Sequence, residues 1–295
     1  MEPGAAIHAA REVTIAPPVG LRAAVGALVP RYVEVDGVTL AYDDEGTGPA
    51  VVCLHAIGHG ARDFERLGAA LRGTHRVLAL DWPGHGRSGV DRRPADAARY
   101  AQLLDGFLVA TGTKQPVLVG NSIGGAAAIR HAYAHPEDVR GLVLENPGGL
   151  APTEDRLAQA VLTAMARFFA AGRRGARWFG PAFATYYRTV LQRGAAGAQR
   201  ARIVRAAYEV APILEQAWRS FACAEADLRA MAEGVRCPVL FAWAARDQVV
   251  ALSRSLPAIR RFPRARLERF SAGHAPHLET PAEFEASTIR FLASL

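Results

Sequence analysis

The ten residues Pro116-Val-Leu-Val-Gly-Asn-Ser-Ile-Gly-Gly125 constrain this chain more than any other stretch. A run of branched apolar residues, 117–119, passes without a spacer into Gly120-Asn-Ser-Ile-Gly124. A segment of helical periodicity, 125–134, follows at once. A strand that turns directly into a helix leaves the residue between them on a tight, strained bend. Nothing bulky fits two residues to either side, and glycines at 120 and 124 let the neighbouring backbone pass closely. The bend exposes the Ser122 hydroxyl, and the start of the next helix favours negative charge beside it. In this strand-to-helix setting the Gly-x-Ser-x-Gly pattern reads as a nucleophile elbow; elsewhere it would be a glycine-rich turn without chemistry.

The rest of the chain supplies the scaffold that such an elbow needs. Residues 50–54, 77–80, 117–119, 142–144, 239–243 and 266–270 are short, mostly apolar runs. Helical periodicity fills segments between them, as at 64–71, 97–110 and 125–134. This alternation predicts an α/β fold with a mostly parallel central sheet covered by helices on both faces. Residues 31–42 instead alternate apolar and polar around Asp36-Gly37, the signature of a hairpin, expected at the antiparallel edge. The strand–helix alternation breaks once. From 151 to 233 there are only helical stretches, punctuated by Gly172, Gly175, Gly180-Pro181, Gly194 and Gly197. The expected organisation is an N-terminal extension at 1–30, a core built from 31–150 and 234–295, and a helical insertion at 151–233.

Composition excludes several function classes. The formal charge of +7 is spread over many arginines, and no zinc-finger, basic-helix or RNA-binding motif accompanies it, so nucleic acid is not expected. Cys53, Cys223 and Cys237 are too widely spaced for a disulfide framework or a metal pair, which favours a reducing, cytoplasmic location. Cys53 lies in an apolar run and reads as a buried strand residue. Glu2, Arg11, Glu12 and Arg22 interrupt the N-terminus, so no secretory leader is expected there. No window has the uninterrupted apolar length of a membrane span. Neither a phosphate loop nor a dinucleotide glycine fingerprint occurs, so no cofactor is expected. The expected partner is a small-molecule substrate, with a homo-oligomer left open.

A neutral serine hydroxyl is a weak nucleophile and needs a base held by a third group. On a scaffold of this kind the acid and then the histidine follow the serine in the chain. Asp247 stands in the loop leaving 239–243, and His274 in Ser271-Ala-Gly-His274 after the last apolar run. Both fall at the C-terminal edge of a strand, where open parallel sheets place their sites. Glu145, ending 142–144, is the alternative acid. His277 reads as outward-facing or helix-capping, His131 and His135 as surface or helix-end residues; His8 and His75 have no motif around them. A developing oxyanion needs donors. The backbone N–H of Ile123 is one; the other falls in His55-Ala-Ile-Gly-His-Gly60, with Ile57 the first candidate and Ala56 the second. His55 reads as an organiser of that loop. Asp81-Trp-Pro-Gly-His-Gly-Arg-Ser88 reads as a tight turn whose aspartate pins neighbouring loops. A metal site at Asp81, His85 and His59 lacks dense ligand spacing, so no metal is expected.

With these residues identified, the chain resembles the α/β-hydrolase superfamily across roughly 32–295. The matching pieces are Leu54-His55-x-x-Gly58, Asp81-x-Pro83-Gly84-x-Gly86-x-Ser88, Gly120-Asn121-Ser122-x-Gly124-Gly125, Asp247 and Gly273-His274. Asn121 and Asn146-Pro-Gly-Gly-Leu150 are similar to the carbon–carbon bond hydrolases of aromatic ring-cleavage pathways, and esterases and lactonases share part of that pattern. Two positions depart: Ala56 replaces a common glycine, and Ala275 replaces the aromatic residue that often follows the histidine in ring-cleavage hydrolases. A serine at 122 separates the chain from relatives that use an aspartate nucleophile, the haloalkane dehalogenases and epoxide hydrolases. The resemblance implies a capped serine hydrolase of the carboxylesterase type, with Ser122, Asp247 and His274 as its triad. Its implied substrate is a small, largely apolar ester or related acyl compound. Carbon–carbon bond hydrolysis and a non-catalytic binding protein are the alternatives. It also implies that 151–233 caps the sheet edge. The cap aromatics either line an acyl pocket or pack the cap onto the body, and a cap arginine such as Arg188 would meet a substrate carboxylate.

Overall fold

The computed structural model describes residues 10–12 and 29–295. The expected N-terminal extension and His8 otherwise lie outside the described residues. The elements run β1 (Ala10–Glu12), β2 (Arg31–Val35), β3 (Val38–Glu45), β4 (Ala50–Leu54), α1 (Glu65–Leu71), β5 (Arg76–Leu80), α2 (Ala97–Ala110), β6 (Val117–Asn121) and α3 (Ile123–Ala134). Then come β7 (Gly141–Glu145), α4 (Arg156–Arg173), α5 (Phe179–Val190), α6 (Gly197–Arg205), α7 (Ala207–Ser220), β8 (Val239–Ala244), α8 (Leu252–Ile259), β9 (Ala265–Phe270), α9 (Pro276–Glu279) and α10 (Pro281–Leu292).

Among the described residues the strands form one nine-stranded sheet, in the order β1-β2-β3-β5-β4-β6-β7-β8-β9. From β5 to β9 every neighbouring pair is parallel, and β1, β2 and β3 are antiparallel. The hairpin is present: Asp36 and Gly37 both have positive φ (52° and 76°), as the tight turns that join twisted strands require. It is not the edge of the sheet, however. Residues 10–12, part of the expected extension, pair with β2 and form the outer strand.

Alternate side chains of the parallel strands enter two different cores. Val52, Leu54, Leu118 and Leu142 pack with Leu104, Phe107 and Ile129 of α2 and α3. Val51, Cys53, Val117 and Val119 pack with Leu67, Leu71, Phe284 and Phe291 of α1 and α10. Burial on both faces is why these strands read as continuous apolar runs, while only the hairpin alternates. Cys53 is fully buried, and burial raises its thiol pKa far above the ordinary value.

The segment 151–233 contains α4 to α7 and no strand. Asp155 begins α4 by accepting a hydrogen bond from the Ala158 N–H (2.7 Å). The insertion has an aromatic core of its own, centred on Phe169, Phe179 and Phe183, and Tyr187, Leu214 and Ala275 join it. No helix among the described residues is long and apolar enough to cross a membrane.

Candidate active site

The loops that leave β4, β6, β7, β8 and β9 open on one edge of the sheet, and the residues singled out by sequence lie on them. Ser122 joins β6 to α3 at φ 56°, ψ −116°. A non-glycine residue in such a region costs about 1–3 kcal/mol, and the surroundings fix it in place. Its N–H donates to the Glu145 carbonyl (2.9 Å), and its carbonyl accepts from Ala126 (3.0 Å) and Gly148 (3.3 Å). The glycines beside it are required by space. A Cβ on Gly124 would lie 2.3 Å from the Leu54 carbonyl oxygen, and one on Gly120 2.7 Å from the Gly125 backbone.

His274 Nδ1 lies 2.8 Å from Asp247 Oδ2, and both side chains are nearly fully buried. The other oxygen of Asp247 accepts from the N–H groups of Val249 (2.6 Å) and Val250 (3.0 Å), which fixes the carboxylate. Burial by itself would lower the His274 pKa. The charge and hydrogen bond of Asp247, helped by Glu279 and Glu145, outweigh burial and raise it above the usual imidazole value. Ser122 and His274 line the same cavity but are not hydrogen-bonded to each other. The N–H groups of Ile57 and Ile123 have no acceptor among the described residues. Ile57 lines the cavity, and Ile123 opens α3 beside Ser122.

Glu145 has a different partner. Its carboxylate accepts from the backbone N–H of His277 (2.9 Å) and pairs with His277 Nδ1 (2.8 Å). His277 therefore faces inward, buried and stacked on Phe64 with ring centroids 4.6 Å apart, contrary to its reading as outward-facing or capping. His131 also departs from expectation: it is buried and paired with Asp105.

The loop histidines organise structure. His55 Nδ1 donates to the Ala56 carbonyl (2.7 Å), and Nε2 accepts from the Trp82 N–H (2.9 Å). His85 Nδ1 donates to the Pro83 carbonyl (2.9 Å), and Nε2 accepts from the Gly58 N–H (2.9 Å). Burial lowers their pKa values to about 4 and about 3, so both are neutral at physiological pH. Asp81 accepts from the Ala61 N–H (2.7 Å) and from Arg87, pinning two loops as its turn motif suggests. Asp81, His85 and His59 are each engaged in separate hydrogen bonds and do not form a ligand cluster.

Three residues that sequence reasoning missed or misassigned hold the His274 loop. Asn121 and Asn146 both donate their side-chain N–H to the His274 carbonyl (3.1 and 2.6 Å), and Asn146 also accepts from the Ala244 N–H (2.8 Å). These asparagines, noted in the sequence only for a resemblance, brace the loop. Glu279 accepts from the N–H groups of Gly273 (2.8 Å), His274 (3.0 Å) and Ala275 (3.4 Å). Its other oxygen accepts from Gln192 (2.8 Å) and Arg193 (2.9 Å) of the helical insertion.

Ser122 and His274 open onto a cavity of about 410 Å³ whose walls are largely apolar. Leu157, Val161 and Met165 of α4, Tyr186 and Tyr187 of α5, and Leu214 and Trp218 of α7 form much of its far side. The insertion aromatics thus divide, some facing the cavity and others, such as Phe179 and Phe183, packing internally. Arg188 is exposed and off the cavity. The arginine on its wall is Arg254 of α8, bound to Asp155 and to the Pro152 carbonyl. A second cavity, about 290 Å³, lies by Pro238 and Arg264 at the opposite edge of the sheet.

The sequence matches the alpha/beta hydrolase family over residues 51–287, and the chain belongs to that family. An uncharacterized protein of Mycobacterium bovis is 28% identical over 282 residues, spanning 88% of this chain and 79% of the relative. A 2-hydroxy-6-oxo-6-phenylhexa-2,4-dienoate hydrolase of Comamonas testosteroni is 34% identical over 114 residues, 37% of this chain and 40% of that hydrolase. In structure the chain is similar to the enol-lactonase of Burkholderia xenovorans LB400, with a TM-score of 0.73, 21% identity and coverage of 89% and 99% of the two chains. The family match marks it as a hydrolase.

Proposed function

We propose that the protein hydrolyses a carboxylic ester, or a related acyl bond, of a small and largely apolar substrate through an acyl-enzyme. The observation that carries this reading is His274, paired with the buried Asp247, sharing a largely apolar cavity with a serine held on a strained, glycine-flanked bend. Asp247 accepts the Nδ1–H of His274, which leaves Nε2 as the base. His274 removes the Ser122 proton as the hydroxyl oxygen attacks the carbonyl carbon. The oxyanion is received by the N–H groups of Ile57 and Ile123, which have no other acceptor among the described residues. The imidazolium then protonates the leaving alkoxide. Water, deprotonated by the same ring, attacks the acyl-enzyme and releases the acid and the free serine.

In this mechanism the helices of 151–233 act as a cap that keeps bulk water from the acyl chain. A second reading is carbon–carbon bond hydrolysis by the same residues; the partial similarity to the dienoate hydrolases favours it. Turnover of short phenyl esters by the purified protein tests the first reading. Ser122→Ala is expected to lose about 10⁴-fold or more of kcat. Hydrolysis at an undiminished rate by that variant would remove Ser122 from the mechanism.

A further inference from the structure

The cavity has a polar corner that the acyl-transfer chemistry leaves unused. His59 lies two residues beyond Ile57, in the same loop, and lines the cavity, with only 2% of its side chain exposed. Its Nδ1 is taken by Asp63. The second oxygen of Asp63 accepts from Gln199 of α6, so the carboxylate is held from both the sheet edge and the helical insertion. Burial opposes ionisation of Asp63, yet its histidine neighbours, His59 first, keep its pKa below the ordinary value. The Nε2 of His59 has no hydrogen-bond partner among the described residues.

Tyr187 of α5 stands next to it. The two rings are 6.1 Å apart, centroid to centroid, and Tyr187 is 2% exposed and also lines the cavity. Its hydroxyl has no hydrogen-bond partner among the described residues. It lies over Gly58, where a Cβ would come within 3.2 Å of it, immediately beside the loop that carries Ile57. An imidazole nitrogen and a phenol hydroxyl, neither with a hydrogen-bond partner among the described residues, therefore belong to neighbouring residues of an otherwise apolar cavity wall, beside the loop that carries Ile57. Leaving such groups unpaired in a filled cavity is costly.

We infer that His59 and Tyr187 form a subsite for a hydroxyl group carried by the substrate within a few bonds of the scissile carbonyl. A hydroxyl both donates and accepts, so it can bond His59 Nε2 and Tyr187 Oη at once. An apolar substituent would leave both unpaired, and a site built around a hydroxyl discriminates against the analogue that lacks it. The hydroxyl can belong to the acyl chain or to the alcohol. The inference rests on the ester-hydrolase reading.

Two matched pairs of esters distinguish those sources: phenyl 3-hydroxybutanoate against phenyl butanoate, and 2-hydroxyethyl butanoate against propyl butanoate. In the wild-type protein kcat/KM is expected to favour the hydroxylated member of at least one pair by about tenfold or more, the size of one to two buried hydrogen bonds. Tyr187→Phe, which keeps the ring, and His59→Phe should each bring that ratio within about threefold of unity. Should His59→Phe fail to fold with Asp63 unpaired, Tyr187→Phe alone decides. A wild-type ratio below threefold in both pairs, or a ratio that Tyr187→Phe leaves intact, overturns the inference. So does failure to hydrolyse any of the four esters by a protein whose Ser122 reacts with a fluorophosphonate. Failure of Ser122 to react overturns the underlying reading instead.

Discussion

At the scale of single residues, the chemistry depends on which acid faces which histidine. Three buried carboxylate–histidine pairs lie close together, Asp247 with His274, Glu145 with His277 and Asp63 with His59. His274 and His59 line the cavity, and His274 shares it with Ser122; His277 does not line it and is stacked on Phe64. In the proposed mechanism His274 must be neutral to accept the serine proton. Its pKa is raised, so kcat/KM is expected to fall as pH drops through a midpoint above the ordinary imidazole value of about 6.5. Asp247→Asn removes the charge that raises the pKa. It should move the midpoint to lower pH and cost about 10⁴-fold in kcat, by analogy with the loss of an orienting acid in other triads. A pH–rate profile of both proteins checks this; an unchanged midpoint in the variant would assign the titration to another group. Ser122, Asp247 and His274 were legible in the sequence because each follows an apolar run, and strand ends locate themselves. The inward turn of His277 was not, since it depends on Glu145, 132 positions away, and on a ring from the segment before α1.

At the scale of elements, strands and helices of the core follow directly from their periodicity. The structure extends β6 to Asn121 and begins α3 at Ile123, so Ser122 alone forms the bend. What the sequence left hidden is how the elements are tied. Glu279, at the end of α9, receives N–H groups from both the His274 loop and the segment after α5. Nothing in its surroundings distinguishes it from a solvent-facing acid, because its partners at 192–193 are brought to it only by the folded insertion. Glu279→Gln puts a donor where two N–H groups expect an acceptor. It is expected to loosen the His274 loop and lower kcat by about tenfold or more, in proportion to how far the ring is displaced. Steady-state kinetics on a short ester reads this directly; an unaltered kcat would mean that Asn121 and Asn146 hold the loop unaided. Arg188, which the resemblance placed against a substrate carboxylate, lies off the cavity for a related reason. Helical spacing does not say which face of α5 meets the body, and the arginine that does reach the cavity comes from α8.

At the scale of the whole molecule, one mostly parallel sheet converges its loops on a single edge, and a helical insertion with its own aromatic core stands over it. The site draws on distant parts of the chain: the bend at 122, the loop after β8, and the loop after β9. In the proposed mechanism this convergence turns an ordinary serine hydroxyl into a nucleophile. The most direct measurement treats the folded protein with a fluorophosphonate and locates the adduct by peptide mass spectrometry. A single adduct on Ser122 is expected, and its loss in His274→Ala. Labelling that persists undiminished without His274, or a folded protein in which Ser122 stays unmodified, would contradict that mechanism.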